Sequence, residues 1–124
     1  EEFLRSHEWL CEETLASFFK IAAENDLTIV QAHPFRQCCE PANPNYLHGV
    51  EIQNCNPRHD SHNDLAEQWA EENHLFPTVG SDFHEYEDLA LAGICFDRMP
   101  VDSHDVGEML RSGQYQLWTK NKTK

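Results

Sequence analysis

Leu75-Phe76-Pro77-Thr78-Val79-Gly80-Ser81-Asp82-Phe83-His84 is a short apolar run that ends on a carboxylate and an imidazole. A brief apolar stretch bounded by a glycine reads as a buried strand, so Asp82 and His84 stand where that strand runs out. The same layout occurs upstream. Leu27-Thr28-Ile29-Val30-Gln31-Ala32 runs into His33-Pro34-Phe35-Arg36, and the proline stops the strand because it has no N–H to give to a ladder. A third run, Gly49-Val50-Glu51-Ile52-Gln53, leads into Asn54-Cys55-Asn56-Pro57.

Helical patterns lie between and around these runs. Over residues 12–25, Leu15, Phe18, Phe19 and Ala22 repeat at helical spacing and make one apolar face. Ser61 with Asp64 resembles a capping box, opening a helix to about Asn73 with Leu65, Ala66, Trp69 and Ala70 on one side. Ala92–Phe96 reads as a fourth strand. Asp102 or Ser103 caps a last helix bearing Val106, Met109 and Leu110, Gly113 fits its stop, and Tyr115–Trp118 reads as a final strand before a frayed tail at Lys120–Lys124. The alternation predicts an α/β fold with a mostly parallel sheet or part of a barrel, although two neighbouring strands lack a full helix between them. The 124 residues suffice for a single domain over 1–124 with a real core.

The charge balance narrows the function. With 22 acidic and 9 basic residues the net charge is −13, which excludes duplex nucleic acid and anionic membranes as main partners. No run of ~18 apolar residues suggests a membrane span, and the first residues lack the pattern of a secretory signal, so a cytoplasmic location is expected. The five cysteines, Cys11, Cys38, Cys39, Cys55 and Cys95, contain no CxxC pair, and they read as free thiols of a reducing compartment. His7-Glu8 starts a zinc-protease string, but Cys11 stands where the second histidine belongs. Asn121-Lys122-Thr123 matches a glycosylation acceptor, which has no use without secretion.

In parallel α/β folds functional groups collect at the carboxyl ends of strands. His33, Asn54, Asp82 and His84 all fall there, and His33, Asp82 and His84 are the candidate metal ligands. Oxygen with imidazole suits Zn, Mn or Fe. Arg36 is the candidate catalytic side chain, a planar fork able to hold a phosphate in two places. Glu51 and Asn54 are candidates for orienting a ligand, with a structural role for Glu51 the plainer reading. His48, His74 and His104 read as solvated.

Ala32-His33-Pro34-Phe35-Arg36, Gly49-Val50-Glu51-Ile52-Gln53-Asn54 and Val79-Gly80-Ser81-Asp82-Phe83-His84, in that order, resemble the carboxyl-terminal half of the PHP (polymerase and histidinol phosphatase) family. The resemblance implies a partial, distorted (β/α) TIM-like barrel with divalent metal ions on its rim. It implies hydrolysis of a phosphorylated small molecule or nucleotide, with His33, Asp82 and His84 as metal ligands and Arg36 on the phosphate. The family's His-x-His motif has no counterpart here. The expectation is therefore an amino-terminal half or a second copy that completes the site, and little turnover without it.

Overall fold

The computed structural model describes residues 5–7, 9 and 13–120. Cys11, the end of the His7-Glu8 string and the tail from residue 121 lie outside them. Helix α1, Leu15–Glu24, starts where the Thr14 side chain accepts from the Ser17 amide, and it ends at Asn25, whose N–H returns to Ile21 and Ala22.

Strand β1 is only Val30–Gln31, shorter than the Leu27–Ala32 run. The flanking backbone is satisfied elsewhere. Leu27 N–H turns back to the Ala22 carbonyl at 2.8 Å, and Ile29 N–H donates to His48 Nδ1 at 3.0 Å. His48 is thus half-buried rather than solvated, and its ring stacks on Phe19. A loop with one 3-10 turn, Pro44–Tyr46, joins β1 to β2, Gly49–Asn54.

β2 is the centre of a three-stranded parallel sheet of order β1-β2-β3, where β3 is Phe76–Gly80. Val30 faces Gly49, Gly49 faces Phe76, and Asn54 faces Gly80, with an irregularity between Glu51 and Gln53. The crossover between β2 and β3 is α2, Asn63–Glu72, as a parallel pair requires. Leu47, Val50, Ala70 and Leu75 form the buried cluster beneath it, with Leu15, Ile29, Ile52 and Trp69 packed against them. The expected capping box does not form. His62 occupies the cap position with a left-handed backbone and no side-chain bond.

The last two strands depart from the parallel expectation. β4, Ala92–Phe96, and β5, Tyr115–Thr119, make a separate antiparallel pair. Side-chain alternation reads the same in either chain direction, so a five-residue run carries no record of orientation. The Tyr115 hydroxyl donates to the Pro77 carbonyl at 2.6 Å and ties this pair to β3. Ser81 Oγ makes the other joint: it accepts from the amides of Leu91 and Ala92 and donates to the Ala92 carbonyl. Among the described residues the fold is mixed α/β and the strands do not close into a barrel.

α3, Ser103–Ser112, is capped by Asp102, which accepts from Asp105 N–H, and stops at Gly113 with φ 72°. Its Gly107 lies so close to the segment before β1 that a Cβ there would sit 2.4 Å from Thr28 Oγ1 and 3.2 Å from Thr28 Cβ. Helix propensity favours alanine over glycine by roughly 0.5–1 kcal/mol. The expected result for Gly107→Ala is nonetheless a net loss of about 1 kcal/mol, because overpacking outweighs propensity. A urea midpoint at or above that of the unaltered chain would contradict this close approach. No described helix is long and apolar enough to cross a membrane.

Candidate functional site

The parallel register places the ends of β2 and β3 side by side, and a polar network fills the rim between them. Glu51 is its hub. Oε2 accepts from the backbone N–H of His33 at 2.8 Å, and Asn54 Nδ2 donates to the same carboxylate at 3.1 Å. A Cβ on Gly80 would fall 2.5 Å from Glu51 Oε1, so the glycine before Ser81 is what leaves room for this carboxylate. Glu51 therefore orients the rim instead of serving only the sheet.

From Asn54 the network runs on. Asn54 Oδ1 accepts from the amide of Asn56, and Asn56 Nδ2 donates to the Asp82 carbonyl at 2.9 Å. Asn54 and Asn56 are both buried, so these bonds satisfy groups that would be costly to leave unpaired. The turn after β3 is fixed from below by Asn56 and from the side by Ser81.

Asp82 projects from this turn with its side chain 17% exposed. Oδ2 accepts from Arg36 Nη2 at 2.7 Å, and Oδ1 lies 3.2 Å from His84 Nε2. Burial pushes the Asp82 carboxyl up. Hydrogen bonds from Arg36 and Asn54, with the charges of Arg36 and His84, outweigh it and hold the group below the usual carboxylate range. Asp82 is therefore an ionised carboxylate at neutral pH. Arg36 also donates to Ser61 Oγ, through Nε at 3.3 Å and Nη2 at 3.2 Å, which explains why Ser61 does not cap α2.

His33 sits two residues past β1. Its ring Nδ1 lies 3.6 Å from Cys39 Sγ. His33 and Asp82 both have positive φ, 29° and 49°, a conformation uncommon outside glycine and recurrent where function dictates side-chain direction. Cys38, Cys39, Cys55 and Cys95 are free. Burial, helped by the charge of Glu51, pushes the Cys55 thiol up.

Two bonds ~2.0–2.2 Å long at a near-tetrahedral angle hold two donors roughly 3.3–3.5 Å apart. The Asp82–His84 pair has nearly that separation and fits two corners of a divalent cation. Among the described residues no three His, Cys, Asp or Glu side chains are grouped as a metal site needs. The rim brings Asp82 and His84 into one contact and His33 and Cys39 into another.

A cleft of about 610 Å³ opens beside Arg36, lined also by Phe35, Arg58, His59, Asp60 and His62. Arg58 holds Asp88 through both guanidinium ends, with Nη1 to Oδ1 at 2.9 Å. Asp88, fully buried, also accepts from the amides of His84 and Glu85. No local spacing joins Arg58 to Asp88, so neither stood out in the sequence.

The family model described as PHP-associated matches residues 60–115. Over that stretch the chain is similar to the PHP-associated family. Neither the curated proteins nor the solved structures gave a match to the chain. The matched stretch contains Ser61, Asp82, His84 and Asp88, whereas His33, Arg36 and Arg58 precede it. Two ion pairs, Arg36–Asp82 and Arg58–Asp88, thus connect that stretch to the chain before it.

Proposed function

We propose that this chain forms the carboxyl-terminal wall of a PHP-type metal-dependent phosphoesterase, derived from a distorted (β/α) barrel. In this reading Asp82 and His84, with His33, are donors to divalent ions such as Zn, Mn or Fe. Arg36 contacts the phosphoryl group of a phosphorylated small molecule or nucleotide. The observation that carries it is the Arg36–Asp82–His84 constellation at the end of β3, with Asp82 held ionised and turned by a left-handed backbone. Such ions lower the pKa of a bound water from ~15.7 to about 7. The chain's own contribution is to keep Asp82 deprotonated, fix its turn through Asn56 and Ser81, and supply a planar cation for an anionic oxygen.

A non-catalytic, cation-binding module is the second reading, favoured by the presence of a donor pair rather than a group of three. The two separate in one experiment. Mn or Zn affinity is measured by equilibrium dialysis, and hydrolysis of a generic phosphate ester is followed with and without a chelator. Weak metal binding is expected, about tenfold weaker in Asp82→Ala, with little or no turnover by the chain itself. Turnover that appears when an amino-terminal PHP segment is added, and vanishes with chelator, supports the enzyme reading. Metal binding without turnover in that mixture supports the second. Unchanged metal affinity and turnover in Asp82→Ala overturn the site.

A further inference from the structure

His48 joins the first strands through both its backbone and its ring. Its N–H donates to the Ile29 carbonyl at 2.9 Å, and its own carbonyl accepts from Phe76 N–H at the start of β3. The ring completes the exchange, since Nδ1 accepts from the Ile29 amide at 3.0 Å. An amide only donates, so Nδ1 carries a lone pair here and the proton of the neutral ring sits on Nε2. Phe19 of α1 lies against the same ring, with centroids 5.3 Å apart and planes 27° from parallel. One imidazole thus pins α1 and the segment entering β1 to the sheet.

That contact holds in one protonation state. A proton on Nδ1 sets a donor against the Ile29 N–H, and a half-buried amide then loses its acceptor. The surroundings oppose the added charge. α1 presents the apolar Phe19 ring, behind which stands the Tyr46 phenol of the 3-10 turn. α3 presents the Arg111 guanidinium, which is engaged with Asp26, the acid that also lies beside His104. Burial first, and the charge of Arg111 second, hold the His48 ring below its ordinary value of 6.5.

We infer that His48 is an acid-sensitive latch on the border of the sheet: the neutral ring closes α1 and β1 onto β2, and the imidazolium lets them open. β1 is the element to release, being two residues long and bonded on one side. A ring whose closed-state pKa is lowered contributes its full stabilisation above 6.5 and loses it as pH falls from there through the closed value. The latch therefore responds within the range that histidine makes available to cells. Beyond β1 the chain carries His33, whose N–H donates to Glu51, and Arg36, which donates to Asp82, so the opening reaches the polar rim. The latch stands whether or not that rim holds a metal.

The test is amide exchange followed by NMR on the full chain at about pH 7.5 and about pH 5, each amide referred to its intrinsic rate at that pH. Protection of the Ile29 amide should fall about tenfold at the lower pH, while the amides of β2 change far less. His48→Asn keeps an acceptor oxygen at the same number of bonds from the backbone and has no proton to gain. Its Ile29 protection should be the same at both pH values. If His48→Asn does not fold, judged by circular dichroism, the ring of the unaltered chain decides: its nitrogen shifts should show the Nε2–H form near pH 7.5, and its proton uptake should share a midpoint with the loss at Ile29. Midpoints more than about one pH unit apart, or a proton on Nδ1 in the neutral ring, overturn the latch. So does a tenfold loss that persists in His48→Asn, an Ile29 amide indifferent to pH in the unaltered chain, or an equal loss throughout β2, which is global unfolding.

Discussion

Asp88→Ala should lower the melting temperature by about 10 °C, a large effect for a domain of this size. Asp88 is 0% exposed, and its carboxylate closes four hydrogen bonds, two from Arg58 and two from the amides of His84 and Glu85. Truncation leaves Arg58 with Glu85 at 3.6 Å and two amides without their acceptor. Breaking such a pair from one side costs far more than the pair contributes net, because the surviving groups stay behind unmatched. The loop that carries His84 loosens with it. The Arg58–Asp88 double variant should lose less than the sum of the single ones, since the two residues share one interaction. The pH profile gives a second check. The hydrogen bonds from Arg58 and the two amides hold the Asp88 carboxyl well below its ordinary value of 3.8. A lowered folded pKa contributes stability above the ordinary value, lost as pH falls through the folded one. The unaltered chain should therefore lose stability below about pH 4 in a step that Asp88→Ala lacks. A melting temperature within ~2 °C of the unaltered chain would contradict the burial of this carboxylate.

Met109→Ala is expected to cost about 2–5 kcal/mol in urea unfolding. Met109 is among the largest fully buried side chains, 1% exposed, on the face of α3 that also buries Leu110 and Gly107. The helix is held against the segment before β1 by Arg111, which donates to Thr28 and to Asp26, so it cannot slide to refill the space. The loss should appear as a shift in midpoint with the slope unchanged. A cost below about 1 kcal/mol would mean that this face of α3 is not packed as described.

The parallel core was legible because its signals are local. Each of the first three runs is short and apolar and ends on a polar turn, α2 lies between β2 and β3, and Gly113 takes the left-handed backbone that its position predicts. Asp82 and His84 stood out as residues for the same reason, but their contact did not, because residues two apart at a strand end need not point the same way. What escaped depends on distance along the chain. Arg58 and Asp88 meet across thirty positions, and Ser61 abandons a helix cap for an arginine twenty-five residues upstream. The antiparallel β4–β5 pair escaped because alternation has no direction. His48 was read as solvated because nothing nearby in sequence announces the Ile29 amide that it accepts from.

β2 is bonded on both of its sides, whereas β1 is two residues long and bonded on one. Deuterium should therefore enter the amides of β1 first and those of β2 last, as the sheet opens from its short border inward. Glu51 and Asn54 both belong to that slowest segment. The anchors of the rim would then outlast the border strand in each local opening, so the polar edge keeps its shape while its neighbour breathes.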